Sequence, residues 1–171
     1  MDPIEIDWLK RWAKLSPSAI ALQCADSGRS FSYAEFFERS GALAGALRER
    51  GVGAGDRVAV LSPNEPETLF LFFALQRLGA MLVPVNFRFA PREVDHVLAD
   101  SGASLLFVHS SLQEVAGKLS SPPAILPFEG AGGLHGMIFD RALVEPAEMA
   151  GDFETPVMIL YTSGTTGSPK G

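Results

Sequence analysis

The sequence predicts a doubly wound α/β fold, a largely parallel sheet flanked by helices. Strand-like runs at residues 57–62, 81–86 and 104–108 alternate with helix-like segments at Pro66–Leu78 and residues 91–100, the order of successive βαβ units. The first of these runs is apolar on both alternating faces, Val58 and Val60 against Ala59 and Leu61, as a strand covered on both sides must be. The segment Pro66–Leu78 is apolar nearly all round and belongs in a buried layer. With 171 residues and 47% hydrophobic content, the chain can bury one proper core.

The elements follow in order. Ile6, Leu9 and Ala13 recur at helical spacing within residues 4–15, with Trp8 and Trp12 on a neighbouring face, and Pro17 closes this opening helix. Residues 19–25 and Ser30–Ser32 read as a hairpin turning through Asp26-Ser27-Gly28-Arg29. Ser32-Tyr33-Ala34-Glu35 is a capping box, so a helix starts at Tyr33; it buries Tyr33, Phe36, Phe37, Ala44 and Leu47 and stops at Gly51. A similar box, Asn64 with Glu67 three residues on, is expected to open the helix at Pro66. Residues 110–119 suggest one more helix and residues 124–128 one more strand. Residues 129–153, rich in Gly and Pro, suggest no regular element. Pro156 to Tyr161 reads as a buried strand running into a Ser/Thr/Gly loop.

Composition narrows the function. The net charge is −6, with 14 Lys and Arg against 20 Asp and Glu, and no basic run could track a nucleic-acid backbone. The single cysteine, Cys24, excludes an intrachain disulfide or a thiol metal cluster and fits a reducing cytoplasm. The first residues lack the cationic and apolar segments of a secretory signal, and no apolar run approaches the ~20 residues of a bilayer span. His96, His109 and His135 are dispersed, without ligands at metal spacing, and read as structural or solvent-facing. Phe70, Phe72 and Phe73 read as core packing.

Two glycine-rich stretches fail as dinucleotide fingerprints. Residues 51–56 lead from a helix into a strand with Asp56 in place of the last glycine, and read as a helix cap and turn. Residues 130–135 follow no βα pattern, carry His135 where glycine is needed, and read as a loop.

The chemistry is expected at residues 162–171, where five hydroxyls, three glycines and one lysine follow a buried strand. Glycines let backbone N–H groups turn inward, hydroxyls add donors, and the lysine adds a mobile positive charge, a set that suits phosphate. Charge-assisted hydrogen bonds contribute roughly 1.5–3 kcal/mol each, so several can hold a triphosphate on an acidic protein. The string lacks Walker A spacing, because Pro169 precedes Lys170 and Gly171 follows it.

The string Tyr-Thr-Ser-Gly-Thr-Thr-Gly-Ser-Pro-Lys-Gly resembles the phosphate-binding signature of the adenylate-forming superfamily, which includes acyl-CoA synthetases, luciferases and peptide-synthetase adenylation domains. Upstream, Phe31-Ser32-Tyr33-Ala34-Glu35, Gly55-Asp56-Arg57-Val58-Ala59, Val83-Pro84-Val85-Asn86 and Asp100-Ser101-Gly102-Ala103 look like blocks of the same family in family order. By that resemblance, residues 1–171 are the N-terminal portion of the adenylation domain, part of the large N-terminal domain of an AMP-forming acyl-CoA synthetase. The complete enzyme would use ATP with Mg2+, join a carboxylic acid to AMP, and pass the acyl group to coenzyme A. Thr162, Ser163, Gly164, Thr165, Thr166, Gly167 and Lys170 would hold the ATP phosphates.

The resemblance also implies what lies outside these residues: the acyl pocket, the Tyr-Gly-x-Thr-Glu and Thr-Gly-Asp blocks, and a carboxy-terminal domain with the catalytic lysine. No catalytic residue and no metal ligand is therefore expected within residues 1–171, and the chain alone is expected to be inactive. Fatty, aromatic and o-succinylbenzoate-type acids are all compatible with it. So are two alternatives, a non-catalytic module derived from the same fold and an amino-acid adenylation domain feeding a carrier protein. Core surface meant for the later parts would offer a route to a homo-oligomer.

Overall fold

Four parallel strands in the order β4-β3-β5-β6 carry the architecture: β3 (Arg57–Leu61), β4 (Met81–Val85), β5 (Leu105–Val108) and β6 (Ala124–Pro127). The computed structural model describes residues 7–143, 146, 149, 150, 152, 154–162 and 169–171. Ahead of the sheet come α1 (Trp8–Leu15), the antiparallel hairpin β1 (Ile20–Gln23) and β2 (Ser30–Ser32), and α2 (Tyr33–Glu49). Between and after the strands lie α3 (Pro66–Leu78), α4 (Pro91–Ser101), a 3-10 turn at Ser110–Leu112 continuing into α5 (Gln113–Ala116), and α6 (Leu134–Phe139).

The double winding follows from strand order. The step from β3 to β4 runs one way across the sheet, and the step from β4 past β3 to β5 runs the other way. Right-handed crossovers therefore put the two connecting helices on opposite faces. Alternation along the strands matches: Val58, Val60, Leu82, Leu105 and Phe107 join a core with α2, α3 and α6. Ala59, Leu61, Val83, Val85, Leu106 and Val108 join a second core with Val94, Val97 and Leu98 of α4 and Val115 and Ala116 of α5. The first core is built around Phe70, fully buried, whose ring meets Phe31, Phe36 and Phe139 edge-on at centroid distances of 5.1, 4.6 and 5.7 Å. Phe72 and Phe73 pack against the same core.

Helix boundaries have local causes. The Ser32 hydroxyl accepts from the Glu35 N–H at 3.2 Å at the start of α2. Gly79 and Gly102 end α3 and α4 in the left-handed conformation, at φ 70° and 62°. Arg57 then spans the amino end of the sheet, donating to the carbonyls of Gly55 (2.8 Å), Ser101 (2.9 Å) and Gly102 (2.8 Å) and so satisfying the end of α4.

Three expectations change. The start of α3 is capped by no side chain: Glu65 is the cap position, and Glu67 is instead buried, accepting from Arg29 at 2.7 and 3.3 Å with His135 Nδ1 at 3.0 Å. Residues 130–135 are not only a loop, because Leu134 opens α6, where Leu134 and Ile138 are fully buried. The segment 156–161 forms no named strand. It meets the β4 edge through one parallel bridge, Leu82 to Met158, and Leu160 is 62% exposed. Leu82 N–H donates to Val157 (3.0 Å) and its carbonyl accepts from Ile159 (2.9 Å). The next donor on that edge would be position 84, and Pro84 has no N–H to give.

Candidate functional site

The site lies at the carboxyl ends of the parallel strands, where open α/β sheets bind ligands because outgoing loops diverge there. A cavity of about 670 Å3 opens at this edge. Its walls are Val60 and Ser62 at the end of β3, Pro84, Asn86 and Phe87 at the end of β4, Leu22 to Asp26 of the hairpin, Glu65, Pro66, Thr68 and Leu69 at the start of α3, and Leu160 and Tyr161. The lining is chiefly apolar, with Gln23, Asp26, Ser62, Asn64, Glu65, Thr68, Asn86 and Tyr161 as polar groups, two of them carboxylates.

The expected phosphate loop leaves this wall. Thr162 and Lys170 form an antiparallel bridge, Thr162 N–H donating to the Lys170 carbonyl at 2.9 Å and Lys170 N–H to the Thr162 carbonyl at 3.0 Å. The base of the loop is thus closed by backbone, and Lys170 is solvent-exposed. Ser163, Gly164, Thr165, Thr166 and Gly167 lie outside the described residues.

Helix α4 fixes both legs of the loop. The Tyr161 hydroxyl donates to Asp100 Oδ2 at 2.6 Å, and His96 Nε2 lies 2.9 Å from the Pro169 carbonyl. Burial, then the hydrogen bond to Asp100 and its negative charge, push the Tyr161 phenol up to about 12, so it stays a donor throughout the neutral range. Its ring packs against the second core and lies so close to Gly171 that a Cβ there would come within 2.7 Å. A larger residue at position 171 would therefore force the Tyr161 ring to shift.

His96 and Pro169 are 73 positions apart, a separation that leaves no local sign of their pairing. Asp100 belongs to one of the family-like blocks, but its pairing with Tyr161 spans 61 positions and appears only in the fold. Among the upstream blocks, Val83-Pro84-Val85-Asn86 reaches the cavity. Arg57 instead ties its block to Ser101 and Gly102 as a structural staple. Among the described residues, no group of three or more His, Cys, Asp or Glu side chains could hold a metal ion, and no helix is long and apolar enough to cross a membrane.

The sequence profile of the family described as AMP-binding enzyme matches residues 9–171. Feruloyl-CoA synthase of an Amycolatopsis species is 41% identical, over 96% of this chain and 32% of that protein. The long-chain-fatty-acid–CoA ligase FadD13 of Mycobacterium tuberculosis is 33% identical over 97% of this chain and 34% of its own length. Among solved structures, the inhibitor-bound N-terminal domain of FACL13 from Mycobacterium tuberculosis superposes with a TM-score of 0.84 at 32% identity, covering 96% of this chain and 42% of that one. The chain spans about a third of the length of the curated relatives it matches. A profile match over nearly the whole chain, with a doubly wound sheet leading into a Ser/Thr/Gly loop, places this chain in the AMP-binding enzyme family, whose relatives here are acyl-CoA and aryl-CoA ligases.

Proposed function

We propose that this chain supplies the phosphate-binding segment of an ATP-dependent carboxylic acid:CoA ligase. The observation that carries the reading is the closed base of the loop. A Thr162–Lys170 backbone bridge, braced by α4, joins the two ends of a hydroxyl- and glycine-rich segment, and Tyr161, next to that bridge, lines a cavity at the carboxyl end of the sheet. Two of the relatives are named for feruloyl and long-chain fatty acyl groups. An aromatic or fatty acid is accordingly the proposed substrate.

In the whole enzyme, the acid's carboxylate oxygen attacks the α-phosphorus of ATP, the bond to pyrophosphate breaks, and the acyl-adenylate forms. The sulfur of coenzyme A then attacks the acyl carbon and AMP leaves. Residues 162–170 position the β- and γ-phosphates and offset the charge gathering on the leaving pyrophosphate, Lys170 as the cation and Thr162, Ser163, Thr165 and Thr166 as hydroxyl donors. Gly164 and Gly167 let the backbone approach. Mg2+ would arrive with the nucleotide, held by its phosphates, with no ligand to it assigned within this segment. The residues of this segment act by positioning, with no proton transfer assigned to them.

Pyrophosphate exchange into ATP by the full encoded protein tests this. Losing one charge-assisted contact of roughly 1.5–3 kcal/mol lowers kcat/KM for ATP by about 10- to 150-fold in Lys170→Ala. Residues 1–171 alone should give no acyl-adenylate. A Lys170→Ala enzyme with unchanged kcat/KM, or acyl-adenylate from the isolated chain, refutes the corresponding part.

A further inference from the structure

The segment that leads into the loop parts from the sheet before the loop begins. Among the described residues, its last backbone bond to β4 runs from the Ile159 N–H to the Leu82 carbonyl at 2.9 Å, and Pro84 has no N–H with which to continue the ladder. Two residues on, Tyr161 has turned to α4 and donates to Asp100 Oδ2 at 2.6 Å. On the outgoing side the carbonyl of Pro169, a buried residue next to Lys170, meets His96 Nε2 at 2.9 Å. A carbonyl can only accept, so the His96 Nε2 carries a proton and donates, whether the ring is neutral or cationic. His96 and Asp100 are i and i+4, neighbours one turn apart on the same helix face. The helix beneath them is fixed: Val94 and Val97 are fully buried, Leu98 is nearly so, and Arg57 holds the carbonyls of Ser101 and Gly102.

We infer, resting on the phosphate role proposed for residues 162–170, that His96 is a positioning residue for ATP, one that acts by holding the Lys170 end of the loop against α4. The Thr162–Lys170 bridge fixes the two ends of the loop relative to each other and leaves open where the pair sits relative to the sheet. The bonds to α4 supply that second reference, Asp100 on the incoming side and His96 on the outgoing side. A segment rich in glycine has many backbone conformations, and only the fraction of molecules with the loop ends in place is ready for the nucleotide. Apparent affinity falls in proportion to that fraction, so a loosened Lys170 end weakens ATP binding while the fold stays intact. His96 is itself exposed and contributes little to the core, which separates this role from a purely structural one.

Calorimetric titration of the full encoded protein with ATP and Mg2+, in the absence of any acid, tests it. His96→Phe keeps the bulk of the ring and removes the donor, whereas His96→Gln returns an amide N–H close to the position of Nε2. His96→Phe should bind ATP about 3- to 10-fold more weakly, the worth of one neutral hydrogen bond, and His96→Gln should bind it nearly as the parent does. Thermal unfolding without ATP should be the same in all three proteins. Equal ATP affinity in the parent and His96→Phe, with binding weakened in Lys170→Ala, overturns this inference and leaves the ligase reading standing. A weakening that His96→Gln does not relieve, accompanied by a lower unfolding temperature, assigns His96 a structural role and also overturns it. Affinity unchanged in Lys170→Ala, or no ATP binding by the parent, overturns the phosphate role of the loop and this inference with it.

Discussion

Replacing Glu67 by Gln removes one negative charge from the junction of three elements and changes little in shape. The carboxylate is 2% exposed and accepts from Arg29 at 2.7 and 3.3 Å, with His135 Nδ1 at 3.0 Å, so it ties the β1–β2 turn and α6 to the start of α3. Breaking a fully buried pair costs ~3–5 kcal/mol. Arg29 and His135 are 36% and 44% exposed, however, and water recovers part of that loss, so Glu67→Gln should destabilise by about 2 kcal/mol. For a chain of this size that is a fall in Tm of about 4–8 °C. Burial alone would raise the Glu67 pKa, but the hydrogen bonds from Arg29, its own backbone N–H and His135 outweigh it and hold it below the usual carboxylate value. A carboxyl depressed in the folded state contributes stability above its unfolded pKa of about 4.3, and that contribution disappears as pH falls through the folded value. Thermal unfolding followed by circular dichroism should therefore show a constant gap between parent and variant from neutral pH down to mildly acidic pH, closing under stronger acid. A gap below about 0.5 kcal/mol at neutral pH, or one that widens on acidification, refutes the reasoning.

Three other outcomes follow from the same contacts. Phe70→Ala removes a fully buried ring at the centre of the first core and should cost about 3–5 kcal/mol in urea unfolding. Tyr161→Phe loses the 2.6 Å bond to Asp100 and should cost about 1 kcal/mol at neutral pH. Because the folded phenol titrates at about 12, parent stability is lost as pH rises from the unfolded value of about 10 through 12, and the variant should lack that alkaline loss in a Tm–pH series. Gly79→Ala forces a Cβ into a residue at φ 70°, 3.3 Å from both the Ala150 carbonyl and Ala54, and should lower stability by about 1–2 kcal/mol.

How much could be read in advance depended on the range of the interaction. The bounds of α3, the start of α2 and the register of apolar residues in β3 follow from neighbours a few positions apart: Pro at the first helical turn, Ser32 as a cap, alternation of Val58, Ala59, Val60 and Leu61. The composition of the loop at residues 162–170 is local in the same way, a dense mixture of hydroxyls, glycines and a lysine, and it is the ground for the proposed phosphate role. Its closure by Thr162 and Lys170 and its bracing by α4 were not legible, because His96 and Asp100 meet Pro169 and Tyr161 only after the chain has crossed the sheet.

Glu67 marks the boundary between the two kinds of information. Its position three residues after Asn64 argued for a helix cap, a local role. In the fold it is recruited by Arg29 and His135, 38 and 68 positions away, because a charged carboxylate buried beside the core must find opposite charge. Sequence alone determined the fold class, the order of its elements as far as β6 and the composition of the loop, since periodicity and composition act between near neighbours. The cavity, the staple at Arg57 and the pairing of His96 with Pro169 were decided by tertiary structure, because burial and pairing are properties of what the rest of the chain brings alongside.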